Sequence, residues 1–260
     1  MLDCRSDLIN PEQGRQAFLD GHIPGARYID LNRELSAPIT ADSGRHPLPD
    51  PTSFAALVGF WGIGNDTQTI VYDDANAGYA ARAWWMLRWI GASRVAVVNG
   101  GITAWRAAGG PLHSGDGRTA QPRRFAPQIR ADGVLTTNQV IAALRSPDAL
   151  LVDARAAARF AGAVEPIDPV AGHVPEARNF PFGDNVEPDG RLLEPAVLRQ
   201  RWLEFLGGRR PEEVISMCGS GVTACHHLLT LDAAGLPGAR LYAGSWSEWI
   251  RDPARPVARG

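Results

Sequence analysis

Leu2-Asp3-Cys4-Arg5, followed by Gly21-His22-Ile23-Pro24-Gly25-Ala26, returns later in the chain as Val152-Asp153-Ala154-Arg155 followed by Gly172-His173-Val174-Pro175-Glu176-Ala177. The same words recur in the same order, and the agreement extends outward. Thr69-Ile70-Val71-Tyr72 leads into a helix-length stretch from Ala77 to Ile90, as Val214-Ile215-Ser216-Met217 leads into Gly221 to Ala234. Each half then closes on a glycine and a tryptophan, Gly100 with Trp105 and Gly244 with Trp249. Internal self-similarity of this kind marks one structural unit used twice. Short apolar strands alternating with helix-length segments predict an α/β fold for each copy, a mostly parallel sheet flanked by helices. Sheets of that kind place their active sites at the carboxyl ends of the strands.

The repeat sets the expected domain limits. Ala108 to Ala131 is rich in Gly, Pro, Arg and Ser without apolar periodicity, which reads as a linker crossing a surface. The expected division is therefore a first domain at 1–112, a linker at 113–133 and a second domain at 134–260. Leu135 to Ala149 forms a helical lead-in to the second copy, whereas the first copy starts directly at its strand. The first domain is thus expected to lack its first helix.

Composition narrows the classes of function. The 260 residues are 45% hydrophobic and 21% charged with a formal charge of -2, which suits two ordinary globular domains and offers no basic stripe for nucleic acid or an anionic bilayer. No charged and apolar leader follows Met1, and no apolar run reaches the length of a membrane span, so the expected location is the cytoplasm. Cys4, Cys218 and Cys225 lack C-x-x-C spacing, which argues against a disulfide framework or a zinc knuckle. Cys225-His226-His227 are adjacent on a helix and point in different directions, so no metal site is expected. The sequence carries no signal for an oligomeric state.

Cys218 stands where a buried strand ends and a helix begins, followed by Gly219-Ser220-Gly221-Val222-Thr223-Ala224. Glycines let successive backbone N–H groups turn inward as a nest, and the helix start adds partial positive charge, so the loop favours a thiolate and any anion beside it. Cys218 is accordingly the candidate nucleophile, Cys225 reads as a buried structural thiol and Cys4 as core.

With these residues in place, the chain resembles the tandem rhodanese-domain sulfurtransferases, on the Asp-x-Arg and Gly-His-x-Pro words of both copies and on Cys218-Gly219-Ser220-Gly221-Val222-Thr223-Ala224. The resemblance implies that the second copy is catalytic and that the first is a scaffold, with Asp73-Asp74-Ala75-Asn76 in place of the cysteine loop. It implies a two-step transfer without a cofactor. Cys218 takes sulfur from 3-mercaptopyruvate or thiosulfate as a persulfide and passes it to a thiol or cyanide acceptor, the outer sulfur being held by the N–H groups of Gly219, Gly221, Val222 and Thr223. The alternative is a sulfur-relay or binding module that accepts sulfur from a protein donor. A related phosphatase loop carries an arginine six residues after its cysteine to clamp phosphate. Ala224 stands there, which sets that activity aside.

The resemblance also distributes roles. The neutral Ser220 favours a ketoacid donor and is expected to act catalytically, whereas thiosulfate-preferring relatives carry two cations in this loop. Against that preference, Glu165-Pro166-Ile167 lacks the arginine that mercaptopyruvate enzymes use to anchor a carboxylate. Arg159 matches the family's other substrate-binding arginine. His46, in Gly44-Arg45-His46-Pro47-Leu48-Pro49, is the candidate partner of Ser220 from the first copy; Asn32 stands where the third member of a triad is expected, with Asp30 nearby. Arg155, duplicated as Arg5, is read as a structural ion pair, His22 and His173 as turn caps, and Trp84, Trp85 and Trp89 as packing residues.

Overall fold

The computed structural model describes residues 1–117 and 119–260; Arg118, within the expected linker, lies outside the described residues. The chain divides into two units. The first comprises 1–38, 48–131 and 187–192, and the second 39–47, 132–186 and 193–260. Two short arms thus sit on the far side of the 1–112 and 134–260 division. Residues 39–47 belong to the second unit and residues 187–192 to the first.

In the first unit a four-stranded parallel sheet has the order β2-β1-β3-β4. Its strands are β1 (Leu2–Asp3), β2 (Arg27–Tyr28), β3 (Thr69–Tyr72) and β4 (Val95–Val97), and its helices α1 (Glu12–Asp20), α2 (Pro51–Phe60), α3 (Ala80–Trp89) and α4 (Gly101–Ala107). Phe18, Ile23, Ala26, Tyr72 and Ile102 form a core cluster there. Helix α2 starts cleanly because the Asp50 side chain accepts from the Ser53 N–H and Pro51 takes the first position, where a missing N–H costs nothing. Residues 123–130 are fastened to this unit by backbone hydrogen bonds from Arg123 to Gly59, Gln128 to Ile90 and Arg130 to Trp89.

The second unit has five parallel strands in the order β5-β9-β8-β6-β7: β5 (Val134–Leu135), β6 (Leu150–Asp153), β7 (Arg178–Asn179), β8 (Val214–Met217) and β9 (Arg240–Tyr242). Its helices are α5 (Thr137–Ala143), α6 (Ala157–Phe160), α7 (Pro195–Leu206), α8 (Ala224–Ala233) and α9 (Ser245–Trp249). Every residue of β6 and β8 is buried, as expected of central strands covered on both faces. Among the described residues the first sheet has no counterpart of β5 and α5.

The duplicated words have one structural meaning in both copies. Asp3 and Arg5 form a buried ion pair, as do Asp153 and Arg155. Each arginine also donates to the carbonyl of the glycine that opens the Gly-His-x-Pro turn, Gly21 or Gly172, at 2.8 Å. His22 stacks on Phe18 and bonds its carbonyl; His173 does the same with Phe160. The pairs therefore clamp the turn to the strand end, which is the structural role read for Arg155 and the two histidines. Trp84, Trp85 and Trp89 are buried, with Trp85 stacked on Trp89.

Candidate functional site

Cys218 is the first residue after β8 and is 1% exposed. Its Sγ accepts the Gly221 N–H at 3.1 Å, closing a tight turn over the start of α8. Gly221 has φ +77°, and a side chain there would run into the Ala243 carbonyl, so glycine is required on both counts. Helix α8 starts at Ala224, not Gly221, because Gly219 to Thr223 are taken up by this turn. Among the described residues the N–H groups of Ser220, Val222 and Thr223 meet no protein acceptor, which leaves donors of this loop available to an anion.

The loop is held from behind by α9. The Trp246 N–H donates to the Cys218 carbonyl at 3.0 Å and the Ser247 N–H to the Gly219 carbonyl at 2.9 Å. Ser245 Oγ accepts the Cys218 N–H at 3.0 Å while donating to the Tyr242 carbonyl. Ser245 does so from a left-handed backbone with φ 53°, a conformation that costs a non-glycine residue about 1 kcal/mol or more. The sequence reading passed over Ser245, since serine does not announce a positive φ.

The arm at 39–47 brings two further side chains to the loop. His46, read from the sequence as a first-copy residue, lies in the second unit, where its Nδ1 is 2.7 Å from Ser220 Oγ. Arg45, which the sequence reading passed over, donates from Nε and Nη2 to the two carboxylate oxygens of Asp168 at 2.9 and 3.1 Å. The arm is tied down by the Arg45 N–H to Ser247 Oγ and by Arg251 to the Ser43 carbonyl. Asp30 Oδ1 accepts the N–H groups of Asn32 and Arg33, an engagement within its own turn.

Arg159 reaches the same neighbourhood from α6. It donates to Glu165 at 2.6 and 3.2 Å and to Asp168 at 3.3 Å. Glu165 also accepts the N–H groups of Ile167 and Asp168, and Arg159 with these donors holds its carboxyl below the ordinary value against the opposing effect of burial. The carbon that Gly219 lacks would lie 2.9 Å from Arg45 Nη2 and 3.5 Å from Arg159 Nη2. Both guanidinium groups therefore overhang the residue next to Cys218.

Two further polar groups of α8 have partners within the fold. Cys225 donates its S–H to the Gly221 carbonyl. His227 is fully buried between Ser216 Oγ and the Phe180 carbonyl, and burial pushes it down to about 3, so it is neutral. No group of three or more His, Cys, Asp or Glu able to hold a metal comes together among the described residues. No described helix is long and apolar enough to cross a membrane.

The family description "Rhodanese-like domain" matches residues 1–108 and again 136–252. The chain is 49% identical to a Pseudomonas aeruginosa protein named "Probable 3-mercaptopyruvate sulfurtransferase", covering 100% of this chain and 92% of that one. It is 35% identical to the thiosulfate sulfurtransferase of Mus musculus, over 100% and 88% of the two chains. Among solved structures, SseA from Escherichia coli, described as a 3-mercaptopyruvate sulfotransferase, superposes with a TM-score of 0.80 at 34% identity, covering 95% of this chain and 92% of that chain.

Proposed function

The chain belongs to the tandem rhodanese-domain sulfurtransferases, and from that premise we propose that Cys218 carries the transferred sulfur as a persulfide, taken from a small-molecule donor and passed to a thiol or cyanide. The observation that supports this most strongly is the Cys218 sulfur itself, seated at the start of α8 with the Gly221 N–H already on it. In the first half-reaction the thiolate attacks the outer sulfur of the donor. The new S–S bond forms as the donor's C–S or S–S bond breaks, and the electron pair leaves with pyruvate, which takes a proton, or with sulfite. In the second, the acceptor attacks the outer sulfur and Cys218 leaves as the thiolate. In this reading the N–H groups of Gly219, Gly221, Val222 and Thr223 hold the outer sulfur.

For a ketoacid donor, charge builds on the carbonyl oxygen as the C–S bond breaks. With His46 Nδ1 as the donor to its oxygen, Ser220 can give its own hydrogen to that oxyanion. Arg159 is the guanidinium available to the carboxylate. This pairing, with a loop whose own side chains are neutral, supports 3-mercaptopyruvate over thiosulfate. The deep seat of Cys218 supports small donors over a sulfur-loaded protein. The expected setting is the cytoplasm, without a cofactor.

The test is direct. Wild-type protein treated with donor gains the mass of one sulfur on the peptide containing Cys218, and Cys218→Ser gains none and turns over no cyanide to thiocyanate. Turnover by Cys218→Ser would overturn the proposal. The ratio of kcat/KM for 3-mercaptopyruvate to that for thiosulfate is expected to exceed one.

A further inference from the structure

The Gly-His-x-Pro words of the two copies end differently, Pro24-Gly25-Ala26 in the first and Pro175-Glu176-Ala177 in the second. Both form the same turn: the Ala26 N–H donates to the Ile23 carbonyl at 3.0 Å and the Ala177 N–H to the Val174 carbonyl at 3.1 Å. A turn with proline second and a positive φ third ordinarily takes glycine at the third position. Gly25 conforms, at φ +77°, whereas Glu176 adopts φ +67° with a full side chain attached. A residue held against its backbone preference in this way points to a use for its side chain. The Glu176 carboxylate makes no hydrogen bond or ion pair among the described residues, so no contact within the fold explains it.

Glu176 lines a pocket of about 420 Å³ in the second unit, a size typical of small-molecule sites. Ile141, Leu144, Val174, Trp249 and Pro256 give the pocket an apolar lining, and the Trp249 indole N–H donates to the Pro256 carbonyl at 2.9 Å. Three other charged residues line it, and each is accounted for. Arg255 donates to the Glu248 and Trp249 carbonyls at 2.7 and 3.1 Å and pairs with Asp252 at 3.6 Å. Asp252 also accepts the Ala254 N–H. Arg145 follows Leu144, the C-terminal cap of α5, where the helix carbonyls favour a cation. Glu176 is the charge left over. None of the residues from Cys218 to Thr223 lines this pocket. We propose that it is a second ligand site, which takes a small organic cation, the apolar body seated among Leu144, Val174 and Trp249 and the ammonium group on Glu176. The first copy, with Gly25 at the turn and no counterpart of α5 among the described residues, lacks both the anchor and one wall.

The experiment titrates the whole protein by calorimetry with three molecules of similar shape and different heads: phenethylamine, phenethyl alcohol and phenylacetate. Wild-type protein is expected to bind the amine about tenfold more tightly than the alcohol, the scale of one charged hydrogen bond. Glu176→Gln should bring the amine to the affinity of the alcohol and leave the alcohol unchanged. Glu176→Gly should do the same and also raise the urea midpoint, because the strain leaves with the side chain. Cys218→Ser should bind the amine as the wild type does, which keeps this site apart from the sulfurtransferase reading. Equal affinities for amine and alcohol in the wild type, or an amine preference retained in both Glu176 variants, would overturn the proposal. So would loss of amine binding in Cys218→Ser, which would place the ligand at the cysteine loop. Phenylacetate binding more tightly than the amine and lost in Arg145→Ala would reverse the sign of the site. A lower midpoint in Glu176→Gly would give the carboxylate a role in the fold itself and likewise sink the inference.

Discussion

The loop after β3 and the loop after β8 start from the same position in the two copies and end in opposite states. Asp73 and Cys218 each follow their strand directly, and each carbonyl accepts an N–H from the helix behind it, Ile102 at 2.9 Å and Trp246 at 3.0 Å. In the first copy the Asp73 carboxylate turns back into the loop and accepts four N–H groups, those of Ala75 and Ala77 at 3.0 Å and of Tyr79 and Ala80 at 2.8 Å. Burial pushes the Asp73 carboxyl above its ordinary value against the pull of these four donors. In the second copy the thiol takes one N–H, and the donors that follow are left for something else. The fold supplies a nest of backbone donors at this strand end in both cases. Whether the nest is filled from within or offered to a ligand depends on the side chain at its mouth.

The supporting position shows the same division. Where Ser245 accepts the Cys218 N–H from a left-handed backbone, the first copy has Gly101 at φ +58°, the ordinary residue for that conformation. The first copy pays nothing there, but holds Asn76 and Ala77 at φ 58° and 64° inside its filled loop. At Ala77 and at Ser245 the strained residue takes part in a hydrogen bond that offsets the cost.

The sharpest way to break the comparison is to move the first copy's residue into the second. Cys218→Asp is expected to abolish sulfur transfer completely while leaving the fold intact, and any residual thiocyanate formation would show that the cysteine is not the carrier. Asp73→Ala should leave four donors, two of them buried, without an acceptor and cost about 3 kcal/mol in urea unfolding, with transfer activity per folded molecule retained; an unchanged midpoint would mean that water serves the donors as well as the carboxylate does. Acid offers a third test, through His227. Its folded-state value lies at about 3, below the ordinary 6.5. The unfolded chain therefore binds one more proton between those values, and stability should fall by about 1.4 kcal/mol per pH unit as pH drops below 6.5. His227→Gln, which removes that proton, should show a shallower slope between pH 6.5 and 5 by urea titration, and an equal slope would exclude His227 as its source. The smallest effect is expected of Ser245→Ala, which removes the acceptor of the Cys218 N–H: about tenfold in kcat and about 1 kcal/mol in stability. Ser245→Gly, which also relieves the backbone, should recover stability but not rate.

Much of the site was legible because its signals are local. Cys218 was found from a strand, a glycine turn and a helix in sequence, and the turn places its sulfur on the Gly221 N–H. Arg155 was read as structural from its copy Arg5, and both prove to clamp the Gly-His-x-Pro turn. The helix limits were less legible. Ala77 to Ile90 and Gly221 to Ala234 both looked helical, yet α3 and α8 start three residues late, because their opening N–H groups serve the loops and not the helix. Arg45 was quoted beside His46 and passed over, since an arginine next to a histidine carries no mark of what it meets 123 positions away at Asp168.

By itself the sequence determined the duplicated α/β architecture, the candidate nucleophile and its loop, because periodicity, turn chemistry and repetition are properties of neighbouring residues. Only the tertiary structure decided which unit the arm at 39–47 joins, that His46 meets Ser220, that Ser245 braces Cys218 from a strained backbone, and that two guanidiniums overhang Gly219. Those contacts join residues from distant parts of the chain, and their partners are chosen by the packing of whole elements, which no local pattern encodes.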